Sequence, residues 1–424
     1  MDFTPSNPRG SLSFGIALDI GTTTIAAYLV DLDSKRRDDA VIASASQLNG
    51  QRVFGADEFA RIEYSKRTDR GSEELARLVR TDVRVLADRL LSGAGAGRDT
   101  LQAMAVVGSA TMLRLFLGRR PVGNPKEEFG LEGAAAADFD LPYPVCQLIV
   151  PPPVSGALDA GFLAAIKAAG LADLEEPTLL IDLGSKGAVA LGDRRGIVCC
   201  EVAAGPPFEG PSITCGTGGT AGAVDRVFWE DGRLRWTTIG SADAVGLCAS
   251  GVLDATACLV RASLVDSSGA LDERWWASGY PLVRSDTADL RFTQADLRQV
   301  QLSKASVAAC IGLVMAERGI SPADVDRTLL SGSFGGELSP ASAAVVGLLP
   351  PNLLERSSWI GNASGLGAVR LLLHDDEYER MKALALRSKV LDPSTTSGFD
   401  ELFGRELLFP APDSVLEAVV PAVV

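Results

Sequence analysis

FGIALDIGTTTIAAYLVDL, residues 14–32, consists of two short apolar segments separated by a glycine and three threonines. Gly15–Ile20 has the length of a buried strand and is interrupted only by Asp19. Gly21–Thr24 supplies turn residues, and Ile25–Val30 is a second apolar segment. Apolar runs of this length on either side of a glycine-containing turn are typical of a β-hairpin. The stretch therefore predicts a strand, a tight turn and a second strand.

The turn of this hairpin carries groups that suit a phosphate. A glycine lets backbone N–H groups approach phosphate oxygens without a Cβ in the way, and the hydroxyls of Thr22 and Thr23 add donors. Asp19, near the end of the first strand, is placed to hold Mg²⁺ through water, because magnesium keeps several waters and takes few carboxylates directly. The alternative interpretation is an ordinary hairpin whose Asp and Thr residues serve only the turn.

The same pattern returns later in the chain. Thr178–Leu191 reads TLLIDLGSKGAVAL, with Asp182 after an apolar strand and Gly184 and Ser185 in the turn. A third glycine cluster, TLLSGSFGG, follows another apolar run at Thr328–Gly336. Two hairpins of phosphate-binding type and a later glycine-rich turn favour two related lobes that bind one nucleotide.

The order of these motifs resembles the superfamily of sugar kinases, actin and heat-shock chaperones. That resemblance implies an α/β fold of two ribonuclease-H-like lobes with an ATP cleft between them. It assigns Asp19–Thr24 to a first phosphate loop, Asp182–Gly187 to a second and Ser331–Gly336 to an adenosine loop. The pattern of the first lobe fits a βββαβαβα order, the ribonuclease-H-like plan, and this order begins again at Thr178.

The length of 424 residues is too great for one core and suits two or more domains. Residues 49–62, NGQRVFGADEFARI, mix turn residues with charges and are predicted to be a surface loop leading into a helix. The predicted segments are a flexible tail at 1–13, the first lobe at 14–172, the second lobe at 173–373 with an irregular insertion near 264–291, and a C-terminal extension at 374–424 that docks on the lobes.

The composition is that of a globular protein, with 46% hydrophobic and 22% charged residues. A net charge of −14 argues against nucleic acid or an anionic membrane as partners. ATP is also an anion, so its pocket must be made locally by backbone N–H groups and Mg²⁺. The N-terminus lacks the basic and apolar regions of a signal peptide, and no apolar run has membrane-spanning length. We therefore expect a cytoplasmic protein.

The seven cysteines form no CxxC pair and no four lie at ferredoxin spacing. Because His374 is the only histidine, a zinc site or a histidine-based triad is not expected. We interpret the cysteines as small buried residues in a reducing compartment and expect no iron–sulfur cluster in this chain.

Several stretches resemble one family within this superfamily, the ATP-dependent reductive activators of corrinoid enzymes, in their nucleotide-binding part. The resemblance implies an enzyme that uses ATP to bring a cobalamin cofactor from Co(II) to Co(I), with an electron from an iron–sulfur module. The similar stretches are residues 14–32, FGADEFARI at Phe54–Ile62, VVGSATMLRLFLG at Val106–Gly118, AAGPPFEGPSITCG at Ala203–Gly216, GLCASGVLDA at Gly246–Ala255, FTQADLRQVQLSKA at Phe292–Ala305 and GLLP at Gly347–Pro350.

The chain departs from that family in three places. We expect no iron–sulfur domain of the family's type in this chain, and therefore a separate ferredoxin-like electron donor. The second phosphate loop usually continues Asn-Gly-Glu where this chain has Lys186-Gly187-Ala188, so a carboxylate is missing. The family's Asn-Thr-Thr-Met and Gly-Gly-Phe-Gly-Asn stand here as SATM at residues 109–112 and GSFGG at residues 332–336.

The resemblance also implies roles for individual residues. Asp19 and Asp182 hold Mg²⁺ through water, and backbone donors bind the phosphates. Glu209 is the candidate to orient the attacking water, with a surface or helix-capping carboxylate as the alternative. Lys186 is either a phosphate contact or a solvated loop residue. The residues assigned to nucleotide contacts are Gly21, Thr22, Thr23, Gly184, Ser185, Lys186, Gly332, Ser333 and Gly335.

Three functions remain open at this stage. The first is an ATPase that activates a corrinoid protein or corrinoid-dependent methyltransferase, in which we also expect a homodimer. The second is a small-molecule kinase of the sugar-kinase type, which needs an aspartate base aimed at a substrate hydroxyl. No clear candidate for that base has a matching local sequence. The third is a non-hydrolysing ATP-binding scaffold, motivated by Ala188.

Overall fold

The computed structural model describes residues 13–67, 70–121, 130–155, 158–183, 187–202, 212–285, 287–332 and 337–410. The strands are β1 Phe14–Ile20, β2 Thr24–Asp31, β3 Val41–Leu48, β4 Leu101–Gly108, β5 Leu131–Ala135, β6 Gln147–Val150, β7 Thr178–Asp182, β8 Ala188–Asp193, β9 Gly196–Glu201, β10 Ala223–Glu230, β11 Arg233–Thr238, β12 Gly246–Leu247, β13 Tyr280–Arg284, β14 Asp289–Phe292, β15 Arg327–Ser331, β16 Ser357–Trp359 and β17 Lys389–Leu391. The helices are α1 Glu58–Arg67, α2 Gly71–Gly93, α3 Ala110–Phe116, α4 Ala160–Ala169, α5 Ala249–Arg261, α6 Gln294–Arg318, α7 Pro340–Val346, α8 Ala363–Leu373, α9 Glu377–Arg387 and α10 Phe399–Glu406.

The chain forms two compact units. Unit 1 comprises residues 1–164 and 364–383, and unit 2 comprises residues 165–363 and 384–424. The sequence-based division placed residues 364–373 with the second lobe, whereas the structure places them in unit 1. Close packing is the reason, because a Cβ on Gly367 of α8 would lie 2.2 Å from the carbonyl oxygen of Ala164 in α4. Leu372 also packs against Gly15 of β1.

Unit 1 is built on a six-stranded sheet of order β3-β2-β1-β4-β6-β5. The β1–β2 and β2–β3 pairs are antiparallel, and β1–β4 and β4–β6 are parallel. The predicted hairpin is therefore present, with Ile20 opposite Ile25 next to the turn. Every residue of β1 is buried, because this strand lies in the middle of the sheet. Such burial on both faces explains its almost continuous apolar sequence.

Helix α2 covers this sheet with a stripe of apolar residues at helical spacing. Leu75, Val79, Val83, Leu86 and Leu90 are all buried and belong to the same hydrophobic core as β1, β2 and β4. The helical spacing of these apolar residues is visible in the sequence itself.

The prediction for residues 49–62 is confirmed in part, because the segment leads into helix α1 and exposes Val53 and Phe59, but several of its polar side chains are buried. Its side chains Asn49, Gln51 and Arg61 are fully buried, and Glu58 is 8% exposed. Helix α1 already begins at Glu58. Charged and turn-forming residues suggested solvent, but here they pack against the β1–β2 turn through hydrogen bonds that are described below.

Unit 2 repeats the plan of unit 1 in a sheet of order β16-β15-β7-β8-β9-β17. The β7–β8 and β8–β9 pairs are antiparallel, and β7–β15 and β15–β16 are parallel. The order β9-β8-β7-β15-β16 thus matches β3-β2-β1-β4-β6 of unit 1. Both units have the ribonuclease-H-like strand order that the repeated motif predicted.

The remainder of unit 2 adds further elements to this sheet. Strands β10, β11 and β12 form a separate sheet, in which β10 and β11 are an antiparallel hairpin around residues 231–232. The range 264–291, predicted as irregular, contains β13 and the start of its antiparallel partner β14. Helix α6 begins with a capping box formed by Thr293 and Asp296 and ends at Gly319.

The C-terminal part of the described chain packs on α6. Leu402 of α10 lies close to Gly312, and Phe409 is buried. Gln301 donates a hydrogen bond to the Leu407 carbonyl at 2.7 Å. Lys304 donates to the Leu408 carbonyl. These contacts attach residues 399–410 to unit 2.

One glycine is required where β4 reaches the β1–β2 turn. Gly108 has φ of +150°, and a Cβ there would lie 2.4 Å from the carbonyl oxygen of Ile20, the last residue of β1. Gly95, also in unit 1, has φ of +67° with open space around its Cβ position. A substitution at Gly95 therefore tests the cost of backbone strain alone, whereas one at Gly108 tests the cost of strain together with a steric clash.

We predict that Gly108→Ala lowers the free energy of unfolding by on the order of 3 kcal/mol, because strain and overpacking add. The control Gly95→Ala is expected to cost about 1 kcal/mol, since only the left-handed backbone is affected. Calorimetric melting of both variants measures the difference. Equal melting temperatures would contradict the close approach of β4 to β1.

Candidate nucleotide-binding site

The first predicted phosphate loop is the tight turn that joins β1 to β2. The Gly21 N–H donates to the Thr24 carbonyl at 3.0 Å. A Cβ on Gly21 would lie 2.7 Å from that same oxygen, so the turn requires glycine at this position. The Gly21 N–H is thus used by a hydrogen bond within the turn. The next two backbone N–H groups along the chain are those of Thr22 and Thr23.

The side chains of this loop differ in exposure. Thr22 is buried, and its hydroxyl donates to Oε1 of Glu58 at 3.4 Å, whereas Thr23 is half-buried. Asp19 lies on β1 between Ala26 of β2 and Val107 of β4 and is 8% exposed. A carboxylate near the carboxyl end of a central strand, beside a glycine turn, suits a hydrated Mg²⁺ and a phosphate.

The second predicted loop starts from the equivalent place in unit 2. Asp182 is the last residue of β7 and lies opposite Ala188 of β8 and beside Ser331 of β15. It is half-buried. Gly184, Ser185 and Lys186 lie outside the described residues. Ala188 is buried, so the methyl group that replaces the expected carboxylate faces Asp182 across the strand pair.

The third predicted loop follows β15. Gly332 has φ of +158°, and its N–H donates to the Gly361 carbonyl at 3.1 Å. The Ser331 hydroxyl accepts a hydrogen bond from the Ala363 N–H at 3.1 Å. Ser333 and Gly335 lie outside the described residues, and so does Glu209, the candidate to orient water.

A buried polar cluster, which the sequence did not predict, lies behind the first loop. Asn49 Nδ2 donates to the Gly21 carbonyl at 2.9 Å, and the Asn49 N–H donates to the Thr23 carbonyl at 2.8 Å. Arg61 Nη2 donates to the Thr22 carbonyl at 2.5 Å. The signal for this cluster was the stretch FGADEFARI, which resembles the family. Its charged residues were nevertheless interpreted as exposed.

The cysteines show the burial that the sequence predicted. All seven are free thiols, six are buried and Cys215 is half-buried. Burial raises the pKa of the Cys146, Cys215 and Cys258 thiols to about 12. Within the described residues, no three His, Cys, Asp or Glu side chains are grouped to hold a metal ion. A magnesium ion that keeps its waters and binds nucleotide phosphates does not need such a group.

One helix of the described chain meets the length and apolarity of a membrane span. This is α6, and 72% of its most apolar window is buried inside the protein. A core helix of a globular protein has the same properties, and the capping box and packed C-terminal segment fit that interpretation.

The duplicated sheets and the hairpin turns define the actin and sugar-kinase-like class of ATP-binding folds, called ASKHA, as predicted. A family model described as the C-terminal domain of RACo, the ASKHA domain, matches residues 176–419. A second model, the RACo middle region, matches residues 14–173. The chain therefore belongs to the RACo family of corrinoid protein activators, and the resemblance found in its sequence is confirmed.

Individual relatives agree with this family. The corrinoid activation enzyme RamQ of Eubacterium limosum is 29% identical over 443 residues, covering 96% of this chain and 72% of RamQ. The Co(II) methylated amine-specific corrinoid protein reductase of Methanosarcina barkeri is 24% identical over 426 residues, covering 90% of this chain and 75% of the reductase. The solved structure of a reductive activator for a corrinoid, iron–sulfur protein is 29% identical with a TM-score of 0.85, covering 99% of this chain and 69% of that one.

The raised thiol pKa values lead to a direct prediction. At pH 8 a thiol with a pKa near 12 is on the order of 10⁻⁴ ionised, against roughly a quarter for an ordinary cysteine. We expect the native protein to react with Ellman's reagent far more slowly than free cysteine, and all seven thiols to react after denaturation. Rapid modification of one thiol in the native protein would contradict the burial of these side chains.

Proposed function

We propose that this protein uses Mg·ATP to drive the reductive activation of a corrinoid protein from Co(II) to Co(I). Membership of the RACo family carries this proposal, together with relatives whose names describe corrinoid activation and corrinoid protein reduction. Those relatives match 96% and 90% of the chain, so the support extends over nearly its whole length.

We propose that the first loop and the second loop serve the same nucleotide. Asp19 and Asp182 hold Mg²⁺ through water, and the backbone N–H groups of Thr22 and Thr23 bind phosphate oxygens. In unit 2, Gly184, Ser185 and Lys186 contact phosphates, and Gly332, Ser333 and Gly335 contact the adenosine. Glu209 orients the water that attacks the γ-phosphate. The magnesium ion, when bound, neutralises charge on the phosphates.

ATP can help the electron transfer only through a difference in affinity between two forms of the protein. Reducing Co(II) in a corrinoid protein is uphill for ordinary donors, so the surroundings of the cobalt must change before the electron arrives. In our proposal, the nucleotide favours a form that binds the corrinoid protein differently. By linkage, the corrinoid protein then changes the affinity for nucleotide by the same factor.

The electron in this proposal comes from a separate iron–sulfur protein, which gives up one electron to cobalt. The proposal of a separate donor follows from the sequence, in which the seven cysteines form no CxxC pair and no four lie at ferredoxin spacing. We further propose that the protein is a homodimer that works in the cytoplasm with the corrinoid protein or corrinoid-dependent methyltransferase as its partner.

One observation favours a second candidate, a scaffold that binds ATP without hydrolysing it. Ala188 faces Asp182, at a position where a carboxylate was expected from the family. The measurement that separates the two functions is the rate of phosphate release. A scaffold binds nucleotide and corrinoid protein but releases no phosphate in the presence of both.

One prediction concerns Asp19, the carboxylate assigned to the hydrated magnesium ion. Asp19→Asn is expected to weaken Mg·ATP binding about tenfold or more, since a charged contact to the hydrated metal is lost. The control is Asp31→Asn, which removes the same charge from the other end of this hairpin, opposite Phe14. Isothermal titration calorimetry measures both variants. Equal affinities in the two variants would rule out the assignment of Asp19.

Another prediction concerns the coupling between the corrinoid protein and the nucleotide. A cognate corrinoid protein in its Co(II) form is expected to change ATP affinity or turnover, and Co(I) is expected to form only with ATP and an added iron–sulfur protein. Absorbance of Co(I) in a reconstituted mixture measures the product. Formation of Co(I) at the same rate without ATP would remove the proposed mechanism.

A further inference from the structure

Four polar side chains of the segment 49–61 form a buried cluster that has no role in the function proposed above. Asn49, Gln51 and Arg61 are fully buried, and Glu58 is nearly so. Burying such groups costs several kcal/mol of stability unless their hydrogen bonds are satisfied. We therefore expect these buried side chains to hold another part of the structure in position. In this structure they contact the β1–β2 turn.

The cluster reaches the carbonyl groups of three consecutive residues of the turn. The Gly21 carbonyl accepts from Asn49 Nδ2 at 2.9 Å, and the Thr23 carbonyl accepts from the Asn49 N–H at 2.8 Å. Between them, the Thr22 carbonyl accepts from Arg61 Nη2 at 2.5 Å. The turn is therefore held at three successive peptide groups from one segment of the chain.

These anchors orient the N–H groups of the turn. In a planar trans peptide, the carbonyl of one residue and the N–H of the next point in opposite directions. Fixing the Gly21 carbonyl toward Asn49 directs the Thr22 N–H away from the cluster. Fixing the Thr22 carbonyl toward Arg61 directs the Thr23 N–H away from it. These are the two N–H groups that we assign to the nucleotide phosphates.

Arg61 is the member of the cluster with the most contacts to separate segments. Its Nε donates to the Gly55 carbonyl at 3.0 Å, and its Nη1 lies 3.2 Å from Oε1 of Gln51 and 3.0 Å from the sulfur of Met112. A guanidinium stays charged and offers donors in a rigid fork. It thus places a positive charge next to the turn, in a chain whose net charge is −14. The buried Glu58 carboxylate, which contacts the Thr22 hydroxyl, offsets this charge, so Arg61 acts on the turn through its hydrogen bonds.

Glu58 connects the turn to a third segment. Its Oε1 accepts from the Thr22 hydroxyl at 3.4 Å and from the Ser109 hydroxyl. Ser109 caps the start of α3, where its oxygen accepts from the Met112 N–H at 3.4 Å. The turn, the segment 49–61 and the junction of β4 with α3 are therefore one hydrogen-bonded network.

We propose that Arg61 and Glu58 are positioning residues, which hold the turn so that the N–H groups of Thr22 and Thr23 face the phosphates of ATP. This inference rests on the proposed binding of Mg·ATP. Arg61 contributes the anchor at the Thr22 carbonyl, and Glu58 fixes the Thr22 side chain. Neither residue touches the nucleotide.

The test compares two arginines of unit 1. Arg61→Gln removes the anchor at Thr22. Arg80→Gln is the matched control, because Arg80 Nε also donates to a backbone carbonyl, that of Phe116, at 2.8 Å, but away from the turn. We expect Arg61→Gln to weaken Mg·ATP binding about tenfold or more, the effect of losing a charged hydrogen bond, and Arg80→Gln to leave it unchanged. A folded Arg61→Gln variant with wild-type affinity, or the same loss in both variants, overturns the proposal.

A second readout needs no nucleotide. Amide hydrogen exchange of residues 21–24 in the nucleotide-free protein is expected to be faster in Arg61→Gln than in the wild type and Arg80→Gln. If the wild-type protein does not bind Mg·ATP, the proposed function fails, and the exchange rates alone decide whether Arg61 anchors the turn. Unchanged exchange overturns that anchoring.

Two milder variants keep the test decisive if Arg61→Gln does not fold. Arg61→Lys keeps the charge but loses the fork, so we expect an intermediate loss of affinity and intermediate exchange. Glu58→Gln keeps an acceptor for Thr22 and is expected to have a smaller effect than either Arg61 variant. Wild-type affinity and exchange in Arg61→Lys would overturn the role of the guanidinium.

Discussion

The arrangement of backbone carbonyls in the β1–β2 turn is the constraint on which the rest of this structure depends. Gly21, Thr22 and Thr23 have their carbonyls bound to Asn49 and Arg61. Because each peptide is planar, this arrangement also fixes the N–H groups of the turn. The central position of β1, the close approach of Gly108 and the buried side chains of Asn49 and Arg61 all restrict the conformation of this short turn.

The proposed binding of ATP, an anion, to an acidic chain needs such a local solution. The net charge of −14 repels ATP at long range, so attraction must come from groups close to the phosphates. Oriented N–H groups act at short range and are little affected by the distant field. Unit 2 repeats the hairpin plan, and its first strand ends at Asp182. In our proposal this second carboxylate also holds the hydrated magnesium ion.

The hairpins were predictable because their signal is local. Apolar strands on both sides of Gly21 determine the pairing of Ile20 with Ile25, and the copy at Asp182 follows the same rule. Arg61 and Glu58 were not predictable in this way, since charged residues in a stretch with turn signals normally indicate solvent. Their burial depends on contacts with Thr22 and Ser109, which are distant in sequence. The assignment of α8 to unit 1 likewise depends on tertiary packing at Gly367.

The central claim is that the β1–β2 turn binds the phosphates of ATP through its backbone. A crystal structure of the full chain with Mg²⁺ and a non-hydrolysable ATP analogue tests it most directly. The account predicts phosphate oxygens within hydrogen-bonding distance, about 2.7–3.2 Å, of the Thr22 and Thr23 nitrogens, with Asp19 bonded to a water of the magnesium ion. A nucleotide bound elsewhere, with no phosphate at this turn, would contradict the account.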